Sequence, residues 1–464
     1  METRELEVRA GPDYDVVVMG GGPSGAMAGI AAARAGARLL VVEQHGFFGG
    51  SLTAMGVGPM MSFHNNAGEQ VVEGLPQELI DRLVARGASP GHIEDSTTYC
   101  ATVTPFDSES LKLELEAMLE EAGADILFHT QLAGVQLDRD GRIAEILLCN
   151  KAGLTACAAR VFVDASGDGD LAARAGVPFV KGREADAATQ PMTMNLKVGN
   201  VDVERVRGYA LENPDDFVFA HGVEEGLDRL RRTPRLSLAG YRRAWEAARE
   251  RGEVDVPREH VLFFETASPG VVIVNTSRVQ GLDATDPLQL SKAERIGRRQ
   301  CKQIFEFLRR HCPGFENAIR MDASSQIGVR ESRHVRGLHT LTAEDLARQR
   351  AFPDPIALGG YPIDIHSPEQ ARTDSVHFRK GTTYQIPMRS LLVERPDNLV
   401  IAGRCISATH EAMAAFRVTP IAMAIGQAAG TIAATAVRTG IPPARVDYES
   451  VKERLLADGA RLPE

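Results

Sequence analysis

Short apolar runs alternate with amphipathic stretches along most of this 464-residue chain. Residues 16–19 form the first apolar run and predict a buried parallel strand, and the alanine-rich stretch that follows predicts a helix to about Arg34. A second apolar run ends at Glu43. Strands that alternate with a helix in this way are typical of a βαβ unit, so the pattern predicts an α/β fold built on a parallel sheet.

Further patterns extend the predicted sheet. Leu and Met at helical spacing in residues 111–121 predict an amphipathic helix, and residues 125–129 predict the next strand. Apolar and polar residues alternate across 135–149 around an Asp-Arg-Asp-Gly turn, which predicts a hairpin. Because the apolar run 159–164 follows, the sequence predicts a β-meander that leaves the parallel sheet and a strand that returns to it.

The pattern changes in the middle of the chain. Mixed-charge helices are predicted at about 224–252 and 291–311, around a strand at 270–275. Proline-rich turns at about 353–368 predict a loop region. An apolar strand at 399–402 and a long final helix then resume the pattern of the first part.

These changes of pattern divide the chain into three segments. Residues 13–174 are predicted to form the first part of one domain, and residues 386–464 its C-terminal part. The segment between them, 175–385, is predicted to be an inserted α+β domain. A chain of 464 residues is long enough for this arrangement with a sizeable core.

A glycine motif marks a predicted nucleotide site. Gly20, Gly22 and Gly25 fit the pattern G-x-G-x-x-G between the first strand and its helix. The first glycine permits a tight turn, the second lets the backbone approach a pyrophosphate, and the third lets the helix pack closely on the strand. N–H groups at the helix start, around Pro23 and Ser24, would hold the phosphate charge.

The residues after the second strand indicate a longer cofactor. Glu43, about 20 residues beyond the motif, would accept hydrogen bonds from ribose hydroxyls. A second glycine pair follows it and suits a loop along the far phosphate and the ribityl chain. The residues assigned to this loop are Gln44, Gly49, Gly50 and Ser51.

With these residues the chain resembles the FAD-dependent oxidoreductases built on the glutathione-reductase type of flavin domain. Further marks of the resemblance are the segments 161–170, 327–333, 361–366, 398–404 and 408–430. Together they resemble the family related to the flavin subunit of heterodisulfide reductase, over nearly the whole chain. The resemblance implies an FAD-binding domain of the glutathione-reductase type, with a parallel sheet and a β-meander, plus an inserted α+β substrate or cap domain.

The resemblance also implies further cofactor contacts. These are Ser166, Gly167, Asp168, Gly403, Arg404, Thr419 and Pro420. Thr419 is predicted as the N-cap of the final helix and Pro420 as its first residue. The positive end of that helix would favour negative charge on N1 and O2 of reduced flavin. No histidine stands in segment 49–52, where succinate-dehydrogenase-like proteins tether FAD, so non-covalent FAD is expected.

Composition argues against several kinds of partner and cofactor. The formal net charge of -10 argues against a nucleic-acid partner, and the six cysteines include no C-x-x-C pair that would suit an iron–sulfur cluster or a dithiol centre. The charged N-terminus shows no signal peptide, and the weakly polar stretch 418–437 predicts a buried helix. We therefore expect a cytoplasmic protein with no membrane or metal site. Its oligomeric state, a homo-oligomer included, stays open.

Flavin chemistry needs side chains that accept or donate a proton and side chains that bind the substrate. Asp364 and His366 would share one face of an extended segment and are candidates for an orienting acid and its base, although His366 could also be a turn residue. His410 and its neighbour Glu411 lie where the resemblance places the flavin. Arg417 could hold an anionic group of the substrate or the flavin O2.

A third candidate cluster has two interpretations. Arg330, Glu331 and Arg333 suit either a carboxylate ligand or a salt-bridge network between domains. The sequence alone does not choose between them.

The expected function is that of a dehydrogenase or oxidase that transfers hydride between a small organic substrate and flavin N5. No second G-x-G-x-x-G follows a strand, so the other electron partner is the substrate itself, transiently bound NAD(P)H or a partner protein. The alternatives are a flavin-dependent monooxygenase and an electron-transfer flavoprotein subunit of a larger complex.

Overall fold

The computed structural model describes residues 5–463 of the chain. Its strands are β1 (Val8–Ala10), β2 (Tyr14–Met19), β3 (Leu39–Val42), β4 (Ile93–Glu94), β5 (Thr102–Val103), β6 (Asp125–Leu127), β7 (Gln131–Leu137), β8 (Ile143–Asn150), β9 (Gly153–Asp164), β10 (Phe179–Lys181), β11 (Leu196–Gly199), β12 (Ser237–Gly240), β13 (Val261–Glu265), β14 (Val272–Val274), β15 (Ile319–Ala323), β16 (Arg333–Val335), β17 (Pro355–Gly359), β18 (Ile363–His366), β19 (Thr373–Val376), β20 (Tyr384–Pro387) and β21 (Leu399–Ile401). Its α-helices are α1 (Pro23–Arg34), α2 (Leu75–Ala85), α3 (Ser108–Glu121), α4 (Asp170–Arg174), α5 (Val203–Glu212), α6 (Val223–Arg232), α7 (Arg242–Glu250), α8 (Pro287–His311), α9 (Ala343–Ala347), α10 (His410–Phe416), α11 (Thr419–Thr439) and α12 (Tyr448–Ala457).

A large mixed sheet organises the first and last parts of the chain. Neighbouring strands are parallel in the order β6–β3–β2–β9, and β21 adds to β9 in parallel. The first half of β9 instead pairs antiparallel with β8, which pairs with β7 as the predicted hairpin. Asp164 at the end of β9 lies level with Met19 of β2 and Ile401 of β21. The carboxyl ends of these three strands therefore meet at one edge of the sheet.

Helices α1 and α11 pack against each other beside this sheet. A Cβ added to Gly426 would lie 2.1 Å from the carbonyl oxygen of Ser24, and one added to Gly430 would lie 2.1 Å from that of Ala28. The Ser24 hydroxyl also donates a hydrogen bond of 2.6 Å to the carbonyl oxygen of Ala422. The absence of side chains at the two glycines thus lets the helix backbones touch.

Helix α11 is long and apolar enough to cross a membrane by length and composition alone. However, 89% of its most apolar window is buried inside the protein. It contacts α1, α12 and β17, among other elements of the large core. This agrees with the buried helix that the sequence predicts.

A second core forms around a five-stranded antiparallel sheet in the order β12–β13–β14–β11–β15. Its buried apolar residues come from positions 192–329, with Trp245 edge-on to Phe307 near its centre. Buried apolar residues from 335–393 belong instead to the first core. We therefore propose that the inserted unit spans about 192–329, a shorter range than the predicted segment 175–385.

Two local expectations differ from the structure. The mixed-charge stretch 224–252 is two helices, α6 and α7, separated by β12. Pro234 follows α6 and has no N–H to continue a helix, and the next residues pair with β13. The proline-rich stretch 353–368 is not a loop region, because it contains β17 and β18, which pair with β20 and β19.

The glycine contact between α1 and α11 generates a stability prediction. Gly426→Leu should lower the free energy of unfolding by about 3 kcal/mol or more, because the new side chain would meet the backbone of α1. Urea denaturation followed by circular dichroism measures this change. Gly208→Leu in α5 is the matched control, since a Cβ there meets nothing within 4 Å, and we expect no loss. Equal losses in the two variants would contradict the close contact.

Candidate active site

A cavity of about 1040 Å³ opens at the carboxyl ends of the parallel strands. It is lined by residues that directly follow β2, β3, β9 and β21. In open α/β sheets this edge is where ligands bind, because the loops that leave the strands diverge there. The five-stranded sheet contributes lining residues from the other side, among them Ala239, Leu262 and Phe264.

The glycine motif forms one wall of this cavity. Gly20 has a φ of +100°, and a Cβ on it would lie 2.5 Å from the carbonyl oxygen of Ala165. A Cβ on Gly25 would lie 1.8 Å from the carbonyl oxygen of Gly20. In contrast, a Cβ on Gly22 would find its nearest neighbour, the Cα of Gly50, at 4.0 Å. Two glycines therefore serve close packing, whereas Gly22 leaves open space at the cavity wall.

Glu43 joins the glycine loop to the loop after β3. One carboxylate oxygen accepts a hydrogen bond of 2.7 Å from the N–H of Gly21, and the other accepts one of 2.9 Å from the N–H of His45. The side chain is buried and lines the cavity. Each oxygen keeps a lone pair for a further donor such as a ribose hydroxyl.

Most of the predicted cofactor residues line this cavity. These are Gly20, Gly22, Pro23, Ser24, Glu43, Gln44, Gly50, Ser51, Ser166, Gly167, Asp168, Gly403, Arg404 and Thr419. Gly25, Gly49 and Pro420 are not among the lining residues. Gly49 instead supports the lining, because its N–H donates a hydrogen bond of 2.9 Å to the carbonyl oxygen of Gly21.

An ion pair fixes the loops that follow β9 and β21. Arg404 donates a hydrogen bond of 2.6 Å to Asp168, whose same oxygen accepts one of 2.6 Å from the hydroxyl of Ser332. A Cβ on Gly167 would lie 2.5 Å from the Arg404 guanidinium. The glycine therefore lets the guanidinium cross the loop.

The start of α11 also lies at the cavity. Its N-cap is Val418, without a side-chain hydrogen bond, and Thr419 is the first helical residue. The predicted N-cap is thus displaced by one residue. Val418 and Thr419 line the cavity, so the first turn of a 21-residue helix, whose N–H groups have no partners within the helix, stands at its wall.

Asp364 is the centre of a buried polar network on the cavity wall. It accepts hydrogen bonds from the hydroxyl of Tyr99 at 3.0 Å, from that of Tyr361 at 3.3 Å and from Arg417 at 3.0 Å. Burial raises the pKa of its carboxyl, but His366 and the nearby arginines lower it more, so the net shift is well below its usual range. Asp364 is therefore ionised at neutral pH, and His366, which the sequence places on the same strand face, contacts it together with Arg417.

His366 lies between an anion and a cation. Its Nδ1 is 2.9 Å from a nitrogen of Arg278, which has only donors, so Nδ1 must accept and the proton must reside on Nε2. Nε2 then donates to Asp364 at 3.2 Å. Burial first, and the charge of Arg330 next, hold the pKa of His366 well below its usual range. Both ring nitrogens are thus engaged, which leaves His366 no lone pair for a substrate proton.

The structure does not bring His410 to the cavity. Its Nδ1 is 2.7 Å from Glu331, and the same carboxylate oxygen is 2.8 Å from Nε2 of His334. All three side chains are buried, and the other oxygen of Glu331 accepts from the N–H of Gln190 at 2.8 Å. His410 lies at the start of α10, where this contact turns its ring to the carboxylate. Its neighbour Glu411 is also not among the lining residues.

The predicted cluster of Arg330, Glu331 and Arg333 is not one network. Arg330 lines the cavity and donates to the carbonyl oxygen of Pro191 at 2.6 Å. Arg333 donates to the carbonyl oxygen of Asp168 at 2.8 Å. Neither arginine pairs with Glu331 in the described part of the chain.

Sequence reasoning missed several residues at or behind this wall. These are Tyr99, Tyr361, Arg258, His260 and Arg278. They come from four separate parts of the chain, and only Tyr361 lies within a segment that carries the family resemblance. The spacing of Tyr361 and Asp364 could have indicated a shared face, but nothing in the sequence marks the others.

The chain is similar to a family of flavoenzymes and to solved structures of flavoenzymes. The family model described as FAD dependent oxidoreductase matches residues 15–455. No curated protein sequence matches the chain at a significant level. A flavin-dependent brominase of known structure has the same general fold, with a TM-score of 0.50 and 15% identity over 96% of this chain and 84% of its own.

Two further solved structures are less similar. One is a geranylgeranyl bacteriochlorophyll reductase-like protein from Thermoplasma acidophilum, with a TM-score of 0.44 and 13% identity over 96% of this chain and 83% of its own. The other is p-nitrophenol 4-monooxygenase from Pseudomonas putida, with a TM-score of 0.46 and 13% identity over 96% of this chain and 85% of its own.

The histidines around Glu331 generate a prediction about acid stability. Burial alone would raise the pKa of Glu331 from 4.5, but hydrogen bonds from His334 and His410 lower it to about 2. A lowered pKa means that the carboxylate stabilises the fold above pH 4.5 and loses this effect as the pH falls towards 2. Glu331→Gln should therefore cost about 3 kcal/mol at pH 7 and progressively less below pH 4.5.

Urea denaturation at a series of pH values measures this effect. The matched control is Glu344→Gln, which removes an exposed carboxylate that pairs with Arg348 on the surface of α9. We expect that control to change stability by less than about 1 kcal/mol. A cost of Glu331→Gln that stays constant from pH 7 to pH 3 would contradict the assignment.

Proposed function

Because the chain belongs to the family of FAD-dependent oxidoreductases, we propose that it oxidises or reduces a small organic molecule with FAD held in the cavity described above. The observation that carries the proposal is the continuity of this cavity. It extends from the glycine loop at Gly22, past the start of α11, to the network around Asp364. A volume of about 1040 Å³ suits a dinucleotide together with a second ligand.

The residues present fit FAD. Gly22 leaves space for a pyrophosphate at the start of α1, and Glu43 has lone pairs for ribose hydroxyls. The loop of Gly50 and Ser51 would hold the far phosphate and ribityl chain. The uncapped first turn of α11 would favour negative charge on the pyrimidine end of the ring. The large sheet with its meander would then be a glutathione-reductase-type flavin domain, and the five-stranded unit its substrate-covering insertion.

Bound FAD supplies the redox chemistry, which is the gain or loss of hydride at flavin N5. The protein has to hold the substrate and exchange one proton with it. Asp364 stays ionised and holds Arg417 and the Tyr99 hydroxyl in place. These contacts fix the cavity wall against which a substrate would lie.

We assign proton exchange with the substrate to His260. His260 lines the cavity, and its side chain makes no hydrogen bond within residues 5–463. Burial first, and the charge of Arg258 next, lower the pKa of His260 to about 4. The imidazole is therefore neutral at pH 7 and has a lone pair available for a substrate proton.

The test of the function begins with the absorption spectrum of the purified protein. We expect flavin bands that pass into the supernatant when the protein is denatured, as non-covalent FAD requires. Anaerobic bleaching by members of a panel of small organic acids, alcohols and amines would then identify the substrate class. A protein that takes up no FAD would contradict the proposal.

Gly22→Val is the matched variant for this test. Its side chain would enter the space assigned to the pyrophosphate without meeting other protein atoms closely, so the fold should persist while flavin is lost. Gly208→Val, outside the cavity, should retain a full complement of flavin. Normal flavin content in Gly22→Val would contradict the assignment of this loop.

Two other outcomes would favour the alternative functions. A hydroxylated product that forms only with O2 would indicate a monooxygenase. Reduction only by a co-purifying iron–sulfur protein would indicate an electron-transfer subunit. Both outcomes retain FAD and change only the reaction partner.

The role of His260 in proton transfer generates a further prediction. His260→Gln should keep its flavin but slow flavin reduction by the substrate at least about 100-fold, because general acid–base catalysis contributes that much. Single-turnover reduction in a stopped-flow instrument measures the rate. His410→Gln, whose ring lies outside the cavity lining, is the comparison and should react at close to the wild-type rate. A slow His410 variant beside an unaffected His260 variant would reverse the assignment.

A further inference from the structure

We propose that the substrate of this cavity is an organic acid whose carboxylate is bound by the guanidinium groups of Arg258, Arg330 and Arg417. The proposal rests on the proposed function, and it adds the chemical class of the substrate. Its basis is an excess of buried and half-buried guanidinium groups over carboxylates at this wall.

Arg258 is the most buried of the three. Its side chain is 6% exposed and lines the cavity, and its backbone carbonyl accepts a hydrogen bond of 2.9 Å from the indole N–H of Trp245. The guanidinium donates only to the carbonyl oxygens of Thr276 and Asn275, both at 3.3 Å. One terminal nitrogen has no partner within residues 5–463, and no carboxylate pairs with the group there.

Arg330 is in a similar position. One terminal nitrogen donates to the carbonyl oxygen of Pro191 at 2.6 Å and to the hydroxyl of Thr193 at 2.8 Å. Its other nitrogens have no partner in the part of the chain that the structure describes. Arg330 therefore also presents donors to the cavity, and no carboxylate forms a direct ion pair with it in the described part of the chain.

A fourth guanidinium adds to the positive charge. Arg278 is fully buried behind the wall, where it donates to three backbone carbonyl groups and to His366. Asp364 is the buried carboxylate of this region, and it pairs with one terminal nitrogen of Arg417, whose other terminal nitrogen has no partner within residues 5–463. Glu259 also lines the cavity, but its side chain is exposed, so solvent screens its charge. The wall thus buries more positive than negative charge.

The electrostatic effect of this imbalance appears in the arginines themselves. Burial first, and the mutual repulsion of the cluster next, hold the pKa of Arg330 well below its usual range and lower that of Arg258 to about 9. Burying charge without a counter-charge is costly. A bound anion would remove this cost, so the cluster is preorganised for one.

The lining residues indicate what the rest of the substrate looks like. The five-stranded sheet contributes Ala239, Leu262 and Phe264 to the same cavity, and the loop residue Val218 lines it beside them. Guanidinium groups match the planar geometry of a carboxylate, and an apolar wall suits a hydrocarbon body. An organic acid with an apolar body would match both the guanidinium groups and the apolar wall.

The test uses the FAD-loaded protein and two matched pairs of probes. Benzoate is compared with benzamide, and acetate with acetamide, by titration of the flavin absorption spectrum. We expect each carboxylate to bind at least about tenfold more tightly than its neutral amide. Inorganic phosphate is titrated as a second anion and should bind more weakly than benzoate, because it has no apolar body.

Variants connect this preference to the arginines. Arg258→Gln and Arg330→Gln should each weaken benzoate binding at least about tenfold while benzamide binding and FAD content stay unchanged. Arg330→Lys keeps the charge and should bind benzoate with intermediate affinity, which provides a folded variant if the neutral ones do not fold. Arg310→Gln, an exposed position on α8, should bind like the wild type.

Several results would overturn the inference and leave the proposed function intact. Equal affinity for benzoate and benzamide in a flavin-loaded protein would show that the cluster does not recognise carboxylates. Tighter binding of phosphate than of benzoate would show a different anion site. Loss of FAD from the Arg258 and Arg330 variants would assign the arginines to the cofactor. A wild-type protein that holds no flavin would instead contradict the proposed function itself.

Discussion

The close contact between α1 and α11 is the constraint on which the rest of the site depends. Both helices begin at the cavity, with Pro23 at the start of one and Thr419 at the start of the other. The two N-termini can face one cavity only because Gly426 and Gly430 let the helix axes approach until backbone meets backbone. The hydrogen bond from Ser24 to Ala422 then fixes the register between them. Two positive helix ends are thereby combined into a single site.

The opposite end of the cavity is lined by charged side chains rather than by helix ends. The helix ends offer partial charges of the backbone, whereas the wall around Asp364 offers whole charges of side chains. Asp364 organises this wall by accepting from two tyrosines, a histidine and an arginine. The division suits a cavity for two ligands, in which backbone groups hold one ligand and side chains hold the other. Substrate preference in such a site can change without disturbing the nucleotide loop.

Local sequence predicted the parts of the molecule that local interactions determine. The βαβ unit with Gly20 and Gly22, and the pairing of Asp364 with His366 on one strand face, depend on residues close together in the chain. Arg258 and His260 could not be predicted, because they reach the cavity only through the pairing of the five-stranded sheet. His410 was misplaced for the same reason. Its position in the chain indicated the cavity, but its ring turns to Glu331, which lies 79 residues away.

The hydrogen bond between Ser24 and Ala422 joins positions 398 residues apart, and this separation has a consequence for biosynthesis. A ribosome adds about 5–20 residues per second, so roughly 20–80 s pass between completion of α1 and emergence of its partner. During that interval the small-residue face of α1 has no helix to cover it. The nascent chain therefore cannot complete this wall of its nucleotide site until α11 has left the exit tunnel. Cofactor loading has to follow that step, and until then the uncovered face of α1 is accessible to a chaperone.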